Sequence, residues 1–320
     1  MGTRLISFSL SAVTLLSSVI VLSPADARGA GALAARKKVV FVPGHQSHGW
    51  SGHAYTADCK LLARILNENV PQIEAVVVEG GWPKDAKVLE GAAAIVIACD
   101  GNSLLGPESN WKTLDDLAGQ GVGIAFLHYA LDPGDEYGKH LLDWIGGYYR
   151  QHWSINPSWR AQFKALPEHP ITRGVKPFSI EDEWYYHMRF RDGMEGLTPI
   201  LTAVPPDSTR KGPDGPHSGN PTVRARMGKP EHVAWAYERP DGGRGFGCTG
   251  GHTHWVYAQN DFRKLMLNAA CWIAGVEVPA AGVPTRTPTV EEMESGLEGE
   301  RPQGWTSERT REVIERMNRP

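Results

Sequence analysis

Lys38-Val-Val-Phe-Val-Pro-Gly44 is apolar without alternation, the pattern of a strand covered on both faces, as in a parallel sheet. Over Ala57 to Asn69 the period changes, with Leu61, Leu62, Ile65 and Leu66 at helical spacing. Ala75-Val-Val-Val78 reads as a second strand, Ala92 to Cys99 as a third and Val122 to Leu127 as a fourth. Helical patterns over Lys112 to Leu117 and Lys139 to Ile145 flank the fourth strand. Strands alternating with helices predict an α/β fold, a three-layer, doubly wound, mostly parallel sheet. Two further strands, His232 to Tyr237 and Arg244 to Thr249, and an amphipathic helix over Phe262 to Ala274 close the domain. Between Tyr148 and Arg226 the many prolines predict loops and short strands.

The two ends read differently. Arg4, an apolar stretch from Leu5 to Leu22, and Ala25-Asp-Ala27 form the pattern of a cleaved export signal over residues 1–27. An uncleaved N-terminal anchor is the competing reading. A basic, small-residue leader occupies residues 28–37, and the folded domain spans residues 38–276. Residues 277–320, rich in Pro, Thr, Glu and Arg, are expected as a solvated extension with one or two short helices.

Lys plus Arg number 33 against 36 Asp plus Glu, a net charge of −3, which gives no reason to expect a nucleic acid or an anionic membrane as partner. No segment beyond the N-terminal stretch approaches the ~20 apolar residues of a membrane span. Cys59, Cys99, Cys248 and Cys271 form no CxxC pair, and their spacing leaves three disulfide pairings open. The 11 Trp fit either a large core or a surface on which sugar rings stack.

Position singles out the candidate residues. His45 follows the first strand, Asp100 ends the third, His128 ends the fourth and His252 follows the last. In a parallel sheet these ends share the edge where ligands bind. In Glu181-Asp-Glu-Trp-Tyr-Tyr-His187 an extended chain puts Glu183, Tyr185 and His187 on one face, where a carboxylate among rings suits acid–base work. In Gly250-Gly-His-Thr-His254 an extended chain places His252 and His254 on one face, Cα atoms about 7 Å apart, within reach of one metal or one substrate. HExxH, DxDxDG, GxSxG, P-loop and strand-following GxGxxG motifs are absent.

Gly121-Val-Gly-Ile-Ala-Phe-Leu-His128, His169-Pro-Ile-Thr-Arg-Gly174, Asp182-Glu-Trp-Tyr185, Gly243 to His252, and Cys271-Trp-Ile-Ala-Gly275 occur in the order of the ThuA-like (trehalose-utilisation) family, which the chain resembles over about residues 38–276. That family's fold is similar to class I glutamine amidotransferases, of flavodoxin-like type. The resemblance implies carbohydrate metabolism, with disaccharides or their 3-keto forms as substrate class. Where true amidotransferases carry a cysteine nucleophile this chain has His128, which argues against glutaminase chemistry. Carried over residue by residue, the functional candidates are His128, Glu183 and His252. Trp184 inside the acidic motif and the Gln46-Ser-His48 loop depart from the family pattern.

Three functional readings follow. The first is an exported enzyme acting on a disaccharide, glycoside or 3-keto sugar. Here Glu183 serves as acid or base, His128 and His252 contact the substrate, and His45, Asp100, Tyr185, His254 and Trp255 bind the sugar. The second is a sugar-binding module without catalysis. The third is a hydrolase in which His45, His128 and His252 hold a divalent metal such as Zn²⁺.

Overall fold

The computed structural model describes residues 1–2 and 35–319; the expected export signal falls almost wholly outside them. Along the folded unit the elements run β1 (Lys37–Pro43), α1 (Tyr55–Asn69), β2 (Ile73–Val77), β3 (Ala92–Ala98), α2 (Glu108–Gly119), β4 (Gly123–Leu127) and α3 (Gly138–Trp144). Then follow β5 (Gly147–Tyr148), β6 (Ser158–Phe163), β7 (Phe178–Glu183), β8 (Arg189–Phe190) and β9 (Leu197–Ala203). The last are α4 (Pro221–Arg224), β10 (Glu231–Glu238), β11 (Arg244–Cys248), α5 (Asn260–Ile273), α6 (Val290–Glu294) and α7 (Ser307–Met317).

Seven strands form one sheet in the order β2-β1-β3-β4-β11-β10-β9. The first five are mutually parallel, and β10 runs antiparallel to both of its neighbours. Side chains alternate across it. Val39 and Phe41 of β1 pack with Leu61 and Leu62 of α1 and with Leu265 and Met266 of α5. Val40 and Val42 point the other way, into the layer of Trp111 and Leu114 from α2 and Leu141 and Trp144 from α3. This is the three-layer, mostly parallel α/β sheet that the apolar runs predict. Two small antiparallel pairs, β5–β8 and β6–β7, are built from the irregular middle of the chain.

One expectation changes. Residues 277–320 are not merely solvated: Val283, Val290, Met293, Val313 and Ile314 are buried in the core shared with α1 and α5. Trp305 stacks on Trp255 with ring centroids 5.5 Å apart and planes 9° apart. The tail is polar in composition because only one stripe of α7 meets the core. The 11 Trp divide, with seven buried and Trp50, Trp82, Trp153 and Trp305 half-buried. The four cysteines are buried and unpaired. No helix among the described residues is long and apolar enough to cross a membrane.

Candidate metal centre

The carboxyl ends of β1, β3, β4 and β11 lie at one edge of the sheet, because these strands are parallel neighbours. From there the chain delivers Asp100 after β3, His128 after β4 and His252 after β11, while β7 delivers Glu183. The loop after β1 runs on to the start of α1 and brings in His53. The backbone holds these side chains firmly. His53 (φ 44°) and His128 (φ 51°) both occupy the left-handed region, at a cost of about 1–3 kcal/mol each that the surrounding packing must meet. Gly250 leaves no room for a side chain, since a Cβ there would lie 2.4 Å from the Trp184 ring. Gly251 turns at φ 118°, and Asp182 accepts hydrogen bonds from the backbone N–H groups of Gly251 (2.6 Å), His252 (3.2 Å) and Thr253 (3.4 Å).

One ligand atom from each of His53, His128, His252 and Glu183 lies within 4.8 Å of all the others. His53 Nε2 is 3.1 Å from His128 Nε2 and 3.0 Å from His252 Nδ1. Glu183 Oε2 is 3.2 Å from His252 Nδ1 and 3.6 Å from His128 Nε2.

The partners of the other ring nitrogens fix the tautomers. His128 Nδ1 donates to the Thr249 carbonyl (2.7 Å), which can only accept, so its Nε2 is a bare lone pair when the ring is neutral. Burial, reinforced by the neighbouring His53, holds His128 well below the ordinary histidine range, so the ring is neutral near pH 7. His53 Nδ1 lies 2.7 Å from Asp100 Oδ1. Burial disfavours the Asp100 charge, yet hydrogen bonds from His53, Ser47 and Tyr55 outweigh it and hold the carboxyl well below its usual range. His53 therefore donates from Nδ1 and turns Nε2 toward His128. Burial pulls His252 down, but its hydrogen bond and charge pairing with Glu183 prevail and raise it.

Three imidazoles and a carboxylate thus aim donor atoms at one small volume, two of the rings backed by a carboxylate and a carbonyl. A single proton bridges one pair of such atoms; a divalent cation meets all four. Histidine ligands backed in this way are the usual construction of a metal site, and three His plus one carboxylate suit Zn²⁺ or a similar ion. Tyr185 OH is 3.3 Å from His128 Nε2, and Asn156 Nδ2 donates to Glu183 Oε1 (3.3 Å).

His53, Glu183 and His252 form one wall of a cavity of about 190 Å³, with His128 behind them, and it is also lined by His48, Tyr129, Asp132, Tyr149 and His217. Of the residues singled out in the sequence, His128, Glu183, His252 and Tyr185 meet here, with Asp100 behind His53. Four do not join them. His45 is exposed and lies outside the ligand cluster, and His53 occupies the place expected for it. His254 is buried with its Nδ1 2.5 Å from Asp58 Oδ1, because the chain turns into a 3-10 segment over His254–Ala258 instead of running on extended. Trp255 is buried between Trp50 and Trp305 and presents no open face for a sugar. His187, expected on the Glu183 face, instead stacks on Trp153 (4.8 Å, 12°). His53 and Asp132 were missed; for His53 the available signal was a third histidine in His45–His53, set directly before α1.

No curated protein sequence matches the chain. Among solved structures, it is similar to a ThuA-like protein of Bacteroides uniformis, at 13% identity and a TM-score of 0.56 over 76% of this chain and 93% of that one. A ThuA-like protein of Parabacteroides merdae gives 16% identity and a TM-score of 0.53 over 79% and 98%. At such identities the likeness speaks for the fold alone. The sequence profile of the ThuA family, described as trehalose utilisation, matches residues 38–273, and the chain belongs to that family.

Proposed function

We propose that this protein is a divalent-metal-dependent enzyme of carbohydrate metabolism, exported through residues 1–27, acting on a disaccharide, a glycoside or a 3-keto form of either. Family membership supports the carbohydrate class. The observation that carries the metal reading is the convergence of His53 Nε2, His128 Nε2, His252 Nδ1 and a Glu183 oxygen. A bound ion would polarise a sugar oxygen or lower the pKa of a water molecule.

The chain's own residues have separable tasks. Asp100 and the Thr249 carbonyl hold the His53 and His128 protons on the far nitrogens. Asn156 fixes the second oxygen of Glu183. Tyr185 places a hydroxyl beside the ligand group, from which it can donate to a developing oxyanion.

A second reading is favoured by the His252–Glu183 contact: a metal-free pair in which Glu183 exchanges a proton with the substrate. One set of measurements separates the two. The purified full chain is assayed for metal content and for turnover of disaccharides and their 3-keto derivatives, with and without chelator, alongside Glu183→Gln. Stoichiometric metal and loss of turnover on chelation support the metal reading. Metal-free protein with undiminished, Glu183-dependent turnover overturns it in favour of the second.

A further inference from the structure

The same cavity has another polar end, which the ligand group leaves unused. Asp132 caps the short turn that begins at His128, and its side chain is 2% exposed. Its Oδ2 accepts from Gln151 Nε2 (3.3 Å) and lies 3.8 Å from His217 Nδ1. Its Oδ1 is buried and makes no well-aligned hydrogen bond among the described residues, although the Gly134 backbone N–H also favours the charged carboxyl. An orphaned buried oxygen costs about 1–3 kcal/mol and calls for a reason. Burial also pushes this carboxyl above its usual range.

A row of rings joins the two ends. His128 lies 4.7 Å from Tyr185, Tyr185 lies 5.3 Å from Tyr149, and Tyr149 stacks on His217 at 5.6 Å. His217 is the neighbour of Asp132, so the row ends there. The aspartate χ2 is a soft torsion, so the carboxyl of this cavity-lining residue is free to turn.

The chemistry of the missing partner is constrained. An ionised carboxyl only accepts, whereas a protonated one also donates; a hydroxyl answers both states. No Lys or Arg stands among the described side chains lining the cavity, while Asp132 and Glu183 both do. A phosphate or carboxylate there would meet like charge with no counter-ion.

We propose that Asp132 determines specificity by binding, through Oδ1, a hydroxyl of one uncharged sugar ring whose other side reaches the His53–His128–His252–Glu183 group. Gln151 and His217 act as positioning residues for its carboxyl. The proposal rests on the metal-dependent carbohydrate reading above.

The test is calorimetric titration of the metal-loaded full chain with trehalose, D-glucose, D-glucose 6-phosphate and the monodeoxy glucoses. The wild type should bind at least one uncharged sugar and reject the phosphate. Asp132→Ala should weaken binding at least about tenfold at unchanged metal content, and Asp132→Asn, which keeps a hydrogen-bonding oxygen, should recover most of it. One monodeoxy analogue should lose affinity for the wild type but not for Asp132→Ala. If Asp132→Ala does not fold, Asp132→Leu, which has a similar shape and no hydrogen-bonding oxygen, is read against the same deoxy series instead, and an unchanged ranking overturns the assignment. Equal affinity of wild type and Asp132→Ala overturns the role of Asp132 alone and leaves the carbohydrate reading standing. No binding of any uncharged sugar by the metal-loaded wild type overturns both.

Discussion

His53 and His128 point the Nε2 atoms of their rings at each other across 3.1 Å, and each ring gives its proton to an acceptor behind it, Asp100 or the Thr249 carbonyl. A metal ion relieves that opposition. Purified protein dialysed against Zn²⁺ or Mn²⁺ should retain one ion per chain by elemental analysis, and His128→Ala should lower the affinity at least tenfold. At an ion concentration a hundred times Kd the folded state should gain about 2.7 kcal/mol, visible as a rise in Tm that chelator reverses.

Asp100 acts through His53. Replacing it with Asn removes the charge that draws the proton to Nδ1 and leaves a side chain of nearly the same shape. Metal affinity should fall about 10–100-fold, as for other residues that back a histidine ligand. Tyr55→Phe removes one of the hydrogen bonds to Asp100 (2.6 Å) and should have a smaller effect in the same direction. Competition with a chromophoric chelator measures both.

Acid should destabilise the metal-free protein through histidines remote from the centre. Burial pulls His169 and His187 down to about 4. Between the unfolded value near 6.5 and about 4 the unfolded chain binds more protons at these rings, so stability falls as pH falls through that window. Denaturant titrations at intervals from pH 7 to pH 4 in the presence of chelator should show this slope. His187→Gln should flatten it, even if the variant is less stable at pH 7.

Trp305 anchors the tail. Its ring stacks on Trp255, meets Trp50 edge-on at 5.5 Å, and donates from Nε1 to Thr310 Oγ1 (2.8 Å). Trp305→Ala should cost about 2–3 kcal/mol, less than a fully buried Trp because the ring is half-exposed, and should lower Tm without changing metal stoichiometry.

Gly250 is set against Trp184. A methyl group there forces the loop off the indole, so Gly250→Ala should destabilise the fold by about 1–3 kcal/mol and also shift His252. The loss of metal affinity should exceed that of Trp305→Ala, a comparison made by thermal melts with and without Zn²⁺.

The strands and helices of the sheet were legible because burial on both faces leaves continuous apolar runs, and helices that cover a sheet carry a 3.6-residue stripe. His128 and His252 were legible for the same reason: each directly follows such a run. His53 was not, since the loop over residues 44–54 has no period and nothing in it shows which of His45, His48 and His53 turns inward. His254 failed for a local reason, the change from extended chain to 3-10 turn at that residue. Asp132 belongs to no motif, and only the folded chain shows that one of its oxygens lacks a well-aligned partner. The docking of α7 was hidden because four buried or half-buried positions, Thr310, Val313, Ile314 and Met317, are too few to stand out in a polar segment.

The donor atoms come from residues 53, 128, 183 and 252, so an ion held by them would tie together segments up to 199 positions apart. Such an ion would work as a long-span crosslink that no fragment ending before His252 can complete, and occupancy of the centre would report that these four segments have come together.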